Sequence, residues 1–458
     1  MLNFNSENVQ SSITKFEHML KTNHVYFFDA QEFEDIIVHY LGFGDNQLAK
    51  KALKMGLEQH PSNIELMMLQ SEVFILDEKF DNAIELLNYI QKIAPLEEEI
   101  ALQKATIASK TGDHKGSIGF LHTALEFSED PVEIWNLLGM EHLLAEEYED
   151  AEYFFKNCLL NNPEDYPALY NLLYCYEQLN KDEEAIATLN QVLEVDPYCE
   201  VAWLQLGKLF IKLGKTKDAI SAFEFAIISD DTFTGAYIEK GKILERIGRI
   251  NEAIENYEVA LNTTEPSAFI FQSIGRCHEK LGNDRLAQKF YLKSVQAEPT
   301  NEKGWESLIN YHVQTENYKK AQHYLNSALE VNSDSFLLWI QSATIYKAQN
   351  QNEKALAGYE KILDMGYFEH NFLLDYIDLY LEMEQWQNAY QVAQTAFKGY
   401  PESKELKLRL GGCSLIAGKS EEAEFHLNPT NLQKQDFDLI LQLFSKADPS
   451  LFSPFLSK

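Results

Sequence analysis

The sequence predicts an all-α chain, an α-solenoid of stacked helix pairs, and three observations predict it. Stepping by 34 residues from Ala49 to Ala423 meets Ala at eleven of twelve positions, with Ser117 the exception. Sixteen residues before that mark stand Phe33, Trp135, Trp203, Tyr237, Phe271, Trp305 and Trp339, so four of the five Trp share one register. Gly and Pro recur in the same frame without slippage. A fixed period of this size is the signature of a repeat architecture.

The elements follow in order. "SSITKFEHML" sets Val9, Ile13, Phe16 and Leu20 on one helical face, which predicts an N-terminal capping helix in residues 1–29. Asp29 and Glu32 then read as a capping box that opens the first repeat. Twelve units begin at 30, 64, 98, 132, 166, 200, 234, 268, 302, 336, 370 and 404, so the array covers 30–428. Each unit reads as helix A, a tight turn and helix B. Trp203, Leu206, Leu209 and Phe210, then Ala219, Ile220, Phe223 and Ala226, show the apolar spacing of such a pair.

Each recurring mark has a mechanical reason. Gly44, Gly112, Gly214, Gly248, Gly282 and Gly418 suit the left-handed turn that closes a helix. Gly139, Gly207, Gly241, Gly275 and Gly411 let two helices approach, and aromatics fill the space beside them. Pro61, Pro95, Pro163, Pro197, Pro299 and Pro401 punctuate the break between units. Pro429 shortens the last one. In residues 429–458, Phe437, Ile440, Leu441 and Phe444 predict a closing cap, because a solenoid unit buries its apolar face only against neighbours. Leu451, Phe452, Phe455 and Leu456 then either fold back or dock elsewhere, and folding back is the reading preferred here.

Composition narrows the function classes. The chain has 458 residues, is 45% hydrophobic and carries formal net charge −32. Residues 1–199 hold 12 basic and 36 acidic side chains, 200–300 hold 13 and 14, and 301–458 hold 14 and 21. Such a surface repels phosphate backbones and anionic membranes. The N-terminal stretch does not read as a signal peptide, and nothing reads as a membrane span. Five widely spaced Cys without a CxxC suit a reducing compartment, so a cytoplasmic location is expected.

No catalytic or phosphate-cradling motif occurs. His142, His278 and His312 share one repeat position and read as packing residues, as do Cys175, Cys277 and Cys413 at another. The acid runs at 96–100 and 145–152 read as solvated helix starts. Neither a metal nor a cofactor is expected, and the chain reads as non-enzymatic.

The pattern W-x-x-L-G-x-x-F … A-x-x-x-F of residues 203–223 resembles the tetratricopeptide repeat. That resemblance implies a right-handed superhelix whose A helices line a concave groove for partner peptides. The groove residues it implies are at positions 2, 5, 9, 12 and 13 of each unit. Positions 9 and 13 read Lys208 and Lys212, Lys242 and Arg246, Arg276 and Lys280, six bases in three consecutive units. Like charges about 10 Å apart repel by about 0.4 kcal/mol in water and about 1.7 kcal/mol at an effective dielectric near 20. Folding alone gives no reason to accept that repetition. Pairs such as Lys242–Glu245, Arg276–Glu279 and Glu245–Arg249 are the competing account.

Tyr170 and Tyr174 stand upstream of the bases, and Asn310 and Gln314 downstream. This lining is expected to hold an acidic, extended peptide segment of a partner protein. Docking in a large assembly through the outer face and tail is the alternative. A third reading stacks RNA bases on Tyr170 and Tyr174, against the repulsion already noted. The carboxylate clamp of chaperone-binding relatives is not reproduced, since Glu306 and Glu405 stand where it needs Lys.

Overall fold

The computed structural model describes residues 3–22, 26–94, 96–263, 265, 267–427 and 433–452. Among them it is an all-α solenoid of helix pairs. After α1 (Asn3–Thr22), the A helices are α2 (Ala30–Gly42), α4 (Ile64–Leu76), α6 (Glu97–Lys110), α8 (Val132–Leu144), α10 (Tyr166–Gln178) and α12 (Glu200–Lys212). They continue as α14 (Thr234–Arg246), α16 (Ala268–Lys280), α18 (Glu302–Gln314), α20 (Phe336–Ala348), α22 (His370–Glu382) and α24 (Lys404–Ile416). The B helices between them are α3 (Asn46–Gln59), α5 (Phe80–Ile90), α7 (His114–Phe127), α9 (Tyr148–Asn161), α11 (Asp182–Val195) and α13 (Thr216–Ser229). They go on as α15 (Ile250–Thr263), α17 (Asp284–Ala297), α19 (Tyr318–Val331), α21 (Asn352–Asp364), α23 (Trp386–Gly399) and α25 (Ser420–His426), with α26 (Lys434–Leu443) last. The chain forms two compact units, Met1–Ser229 and Asp230–Lys458.

The repeat marks do what their chemistry requires. Ala49 through Ala423 and Ser117 are all buried where B meets A. A Cβ added to Gly241 would lie 2.7 Å from the Tyr257 ring, and one on Gly275 would lie 2.8 Å from Tyr291. No ordinary contact is that short, so these glycines set how closely A and B approach. The indole N–H of Trp203 donates to the Pro197 carbonyl (2.9 Å), that of Trp305 to Pro299 (2.8 Å) and that of Trp339 to Ser333 (3.0 Å). In α12, α18 and α20 the Trp register thus ties the A helix to the turn before it.

The turn between A and B takes positive φ in all twelve repeats. Six of these residues are the glycines read from sequence, at φ 71 to 81°. The other six are Glu78, Glu146, Asn180, Glu316, Asn350 and Glu384, at φ 55 to 60°. Asn tolerates that region, but at the four Glu the tertiary frame imposes a left-handed residue on a side chain that disfavours it.

The ends are covered. In α1, Ile13, Phe16 and Met19 are buried against α2, and the side chain of Val9 lies outside the described set. The Asp29–Glu32 capping box closes in both directions, at 2.8 and 3.0 Å. Ile440 and Phe444 cover the last pair, and Phe452 folds back to lie 5.5 Å from the Phe444 ring. Pro95, Pro429, Phe455 and Leu456 lie outside the described residues. No described helix is long and apolar enough to cross a membrane.

Candidate functional site

The six bases divide between the units. Lys208 and Lys212 belong to the first, and Lys242, Arg246, Arg276 and Lys280 to the second. In the second unit the centre of the arrangement is an acid, Glu245 of α14, which is 7% exposed. Arg276 Nε donates to its Oε1 (2.6 Å) and Arg276 Nη2 to its Oε2 (3.0 Å). Lys280 Nζ adds a third bond at 2.9 Å, and the Tyr257 hydroxyl reaches Oε2 at 3.4 Å. Burial alone would raise the Glu245 carboxyl, but the bonds from Arg276 and Lys280 hold it below the usual carboxylate range. Its own bonds to Glu245 push the Arg276 guanidinium up.

These pairings correct the sequence reading. Lys242 turns to Glu239 (2.8 Å) and lies over the Phe269 ring, 5.1 Å from its centroid, rather than reaching Glu245. Glu279 accepts from the Tyr291 hydroxyl instead of pairing with Arg276, and Arg249 forks onto Glu252. The reason is geometric. Position 12 of one A helix faces the seam with the next, where packed helices run about 8–10 Å apart. A Glu there meets the following helix before its own. Arg276 and Lys280 therefore serve first as stitches between repeats. Arg246 is exposed and has no ion pair among the described residues.

In the first unit Lys212 pairs with Asp182 at 2.6 Å, while Lys208 is exposed and has no ion pair among the described residues. Tyr170 and Tyr174 are each 44% exposed, and Met140 and Leu144 of the neighbouring A helix are exposed as well. The Tyr148 ring stands edge-on to Tyr174 at 6.3 Å. The amides are less available than expected. Asn310 Oδ1 accepts from Gln341 Nε2 (3.3 Å), and Gln272 donates to the Lys303 carbonyl (2.9 Å). Gln314 is exposed.

One pattern was missed in the sequence although a signal existed. Lys181–Glu152, Lys212–Asp182, Arg276–Glu245 and Arg409–Asp378 are all ion pairs in which the base follows its acid by 29 to 31 residues. A search one repeat upstream of each base finds them. Arg409, buried and bound to Asp378 at 2.6 Å through both Nε and Nη2, shows what replaces the clamp chemistry at that position.

The shared His and Cys positions are packing positions. His142, His278 and His312 stack on Phe154, Phe290 and Tyr324, with centroids 5.3 to 5.6 Å apart. Burial pushes the thiol of Cys175 up to about 11 and those of Cys277 and Cys413 up to about 12, which suppresses the thiolate. The structure does bring His142, Glu147 and Asp150 within 4.8 Å of one another, a spacing the sequence reading did not find. The His142 Nδ1 there is already bonded to Glu147 at 2.8 Å.

Comparison with known families agrees with the repeat architecture. The tetratricopeptide repeat model matches residues 142–209, and the model of the N-terminal TPR repeats region of psidin matches 210–366. The chain is a tetratricopeptide repeat (TPR) protein. Solved structures similar to this TPR chain include MamA, 23% identical over 38% of this chain and 96% of that one, with a TM-score of 0.33. The Cut9–Hcn1 hetero-tetramer of the APC/C matches 90% of this chain and 94% of its own at 13% identity and a TM-score of 0.37. The C-terminal part of a TPR protein from Cytophaga hutchinsonii matches 53% and 98% at 18% identity and a TM-score of 0.41.

Proposed function

We propose that this chain is a non-enzymatic scaffold that holds an extended acidic segment of a partner protein against the A-helix face of α14 and α16. Its TPR architecture supports the interaction role in general. The observation that carries the acidic preference is an imbalance on an exposed wall. Arg276 and Lys280 share the single carboxylate of Glu245, and Arg246 beside them has no acid among the described residues. In a chain of net charge −32, acids to complete the neutralisation are plentiful elsewhere, so their scarcity here favours an outside anion. Phe269 and Ile238 on the same face supply apolar contact for the segment's hydrophobic side chains.

The test keeps the Glu245 stitch intact. A labelled extended peptide alternating Glu and Leu is titrated by fluorescence anisotropy against the protein and its Arg246→Glu variant. The expected result is binding that weakens about tenfold in the variant, equivalent to about 1.4 kcal/mol, and that falls with added salt. Equal affinity for both proteins rejects the acidic-segment reading and leaves the scaffold fold untouched. Docking through the outer face also has an observation in its favour, in the first unit.

A further inference from the structure

The outer face of the first unit carries an apolar ridge that the A-helix wall does not explain. At or just past the C-terminal ends of its B helices, five successive repeats expose Ile93, Phe127, Leu160, Val195 and Ile228. Leu160 is 81% exposed, Val195 68% and Ile228 69%. The second unit is an internal control. Its equivalent positions hold Asn262 and Thr263, Gln296 and Ala297, and Lys398 and Gly399 in three of five repeats, with Val331 and Met365 in the two successive repeats between them. The repeat therefore folds without apolar side chains there, and an exposed series of them marks an interaction site.

Between α9 and α11 the ridge opens into a groove. Leu159, Leu172 and Val192 line it, together with Leu160 and Val195 and one charge of each sign, Glu194 and Lys156. A trough between two neighbouring B helices matches the surface of a third helix. Charge decides what kind of helix. Residues 116–199 hold 18 Asp or Glu against two Lys. Both of those bases, Lys156 and Lys181, are bound by Glu152, at 2.6 and 2.7 Å. Glu126, Glu129, Glu164 and Glu194 stand exposed in the same helix ends and turns. A second copy of this face would set acid against acid, which argues against self-association.

We propose that this groove docks a cationic amphipathic helix of a partner protein. Its apolar stripe at i, i+3, i+4 and i+7 seats between Leu160 and Val195, and its flanking Lys and Arg meet the surrounding carboxylates. The site is separate from the A-helix face, so it stands whether or not the acidic-segment reading does.

The probe is a fluorescein-labelled, amidated peptide of about 18 residues, five helical turns, built from Leu and Lys with that stripe. It is titrated against the full chain and against the double variant Leu160→Ser/Val195→Ser. Both positions are exposed, so circular dichroism should be unchanged. Binding is expected to weaken about tenfold or more in the double variant and to be unaffected by Arg246→Glu. A peptide with Glu in place of Lys should not bind. The proposal is overturned if the double variant binds as tightly as the parent, or if a same-composition peptide with the stripe scrambled binds equally well. It is also overturned if sedimentation shows a dimer that the double variant dissolves.

Discussion

The guanidinium of Arg276 forks onto the carboxylate of Glu245, 31 residues upstream, through bonds of 2.6 and 3.0 Å. The acid is buried and the base is 40% exposed, so the pair loses differently depending on which partner goes. Arg276→Ala leaves a buried carboxylate with only Lys280 as its ionic partner. The expected loss is about 1–3 kcal/mol, below the figure for a fully buried pair because water reaches the arginine. Urea unfolding of the variant checks it. A double variant, Glu245→Gln with Arg276→Met, should recover part of the loss, since no bare charge remains inside. No recovery would mean the fork matters by shape rather than charge.

Glu316 occupies with φ 55° the position that Gly282 occupies with φ 71° in the preceding repeat. A left-handed non-glycine residue costs about 1–2 kcal/mol, part of which glycine gives back through its larger entropy when unfolded. Glu316→Gly is therefore expected to stabilise the protein by about 0.5–1 kcal/mol. Gly248→Ala, from φ 81°, should destabilise by about 1 kcal/mol. Paired thermal melts decide, and a lower midpoint for Glu316→Gly would contradict the account.

These positions also show how far the sequence could be read. The helix frame was legible because Ala, Trp, Gly and Pro each answer a local steric demand that returns every 34 residues. The four left-handed Glu were not, because nothing in that side chain announces a conformation that neighbouring helices impose, whereas Asn180 and Asn350 carried a signal in a residue that tolerates it. The candidate site was legible as positions but not as partners. Pairing rules within one helix look three or four residues along, whereas Glu245, Asp182 and Asp378 act across the seam to the next repeat. The outer ridge escaped notice because Leu160 and Val195 sit among helix-spaced apolar residues, and only burial separates the exposed ones from the core.

Gly241 lies under the Tyr257 ring, where an added Cβ would come within 2.7 Å. Tyr257 is itself fully buried, so the ring cannot swing aside. Gly241→Ala raises helix propensity by about 1 kcal/mol, yet overpacking is expected to reverse the sign and destabilise by about 1–3 kcal/mol. Pairing it with Tyr257→Leu should offset the clash at the cost of a smaller core residue. Chemical denaturation of both variants tests this, and a stabilised single variant would show that the helices can simply move apart.

His312 stacks on Tyr324 with centroids 5.3 Å apart, and its buried Nε2 has no partner among the described residues. Burial, aided by the Lys320 charge, pushes its pKa down to about 4 from an ordinary 6.5. The unfolded chain therefore takes up a proton here before the folded one does. This contribution to stability is complete above about pH 6.5, is lost as pH falls toward 4 and levels off below that. Its slope is at most about 1.4 kcal/mol per pH unit. His278, also lowered by burial, adds in the same direction. Glu245, held low by its cations, adds a further loss only below its ordinary 4.5. His312→Tyr keeps an aromatic ring in the stack and removes one titrating group. The gap between urea midpoints at pH 7 and pH 5 should narrow in the variant, and an identical gap would assign the acid sensitivity to other residues.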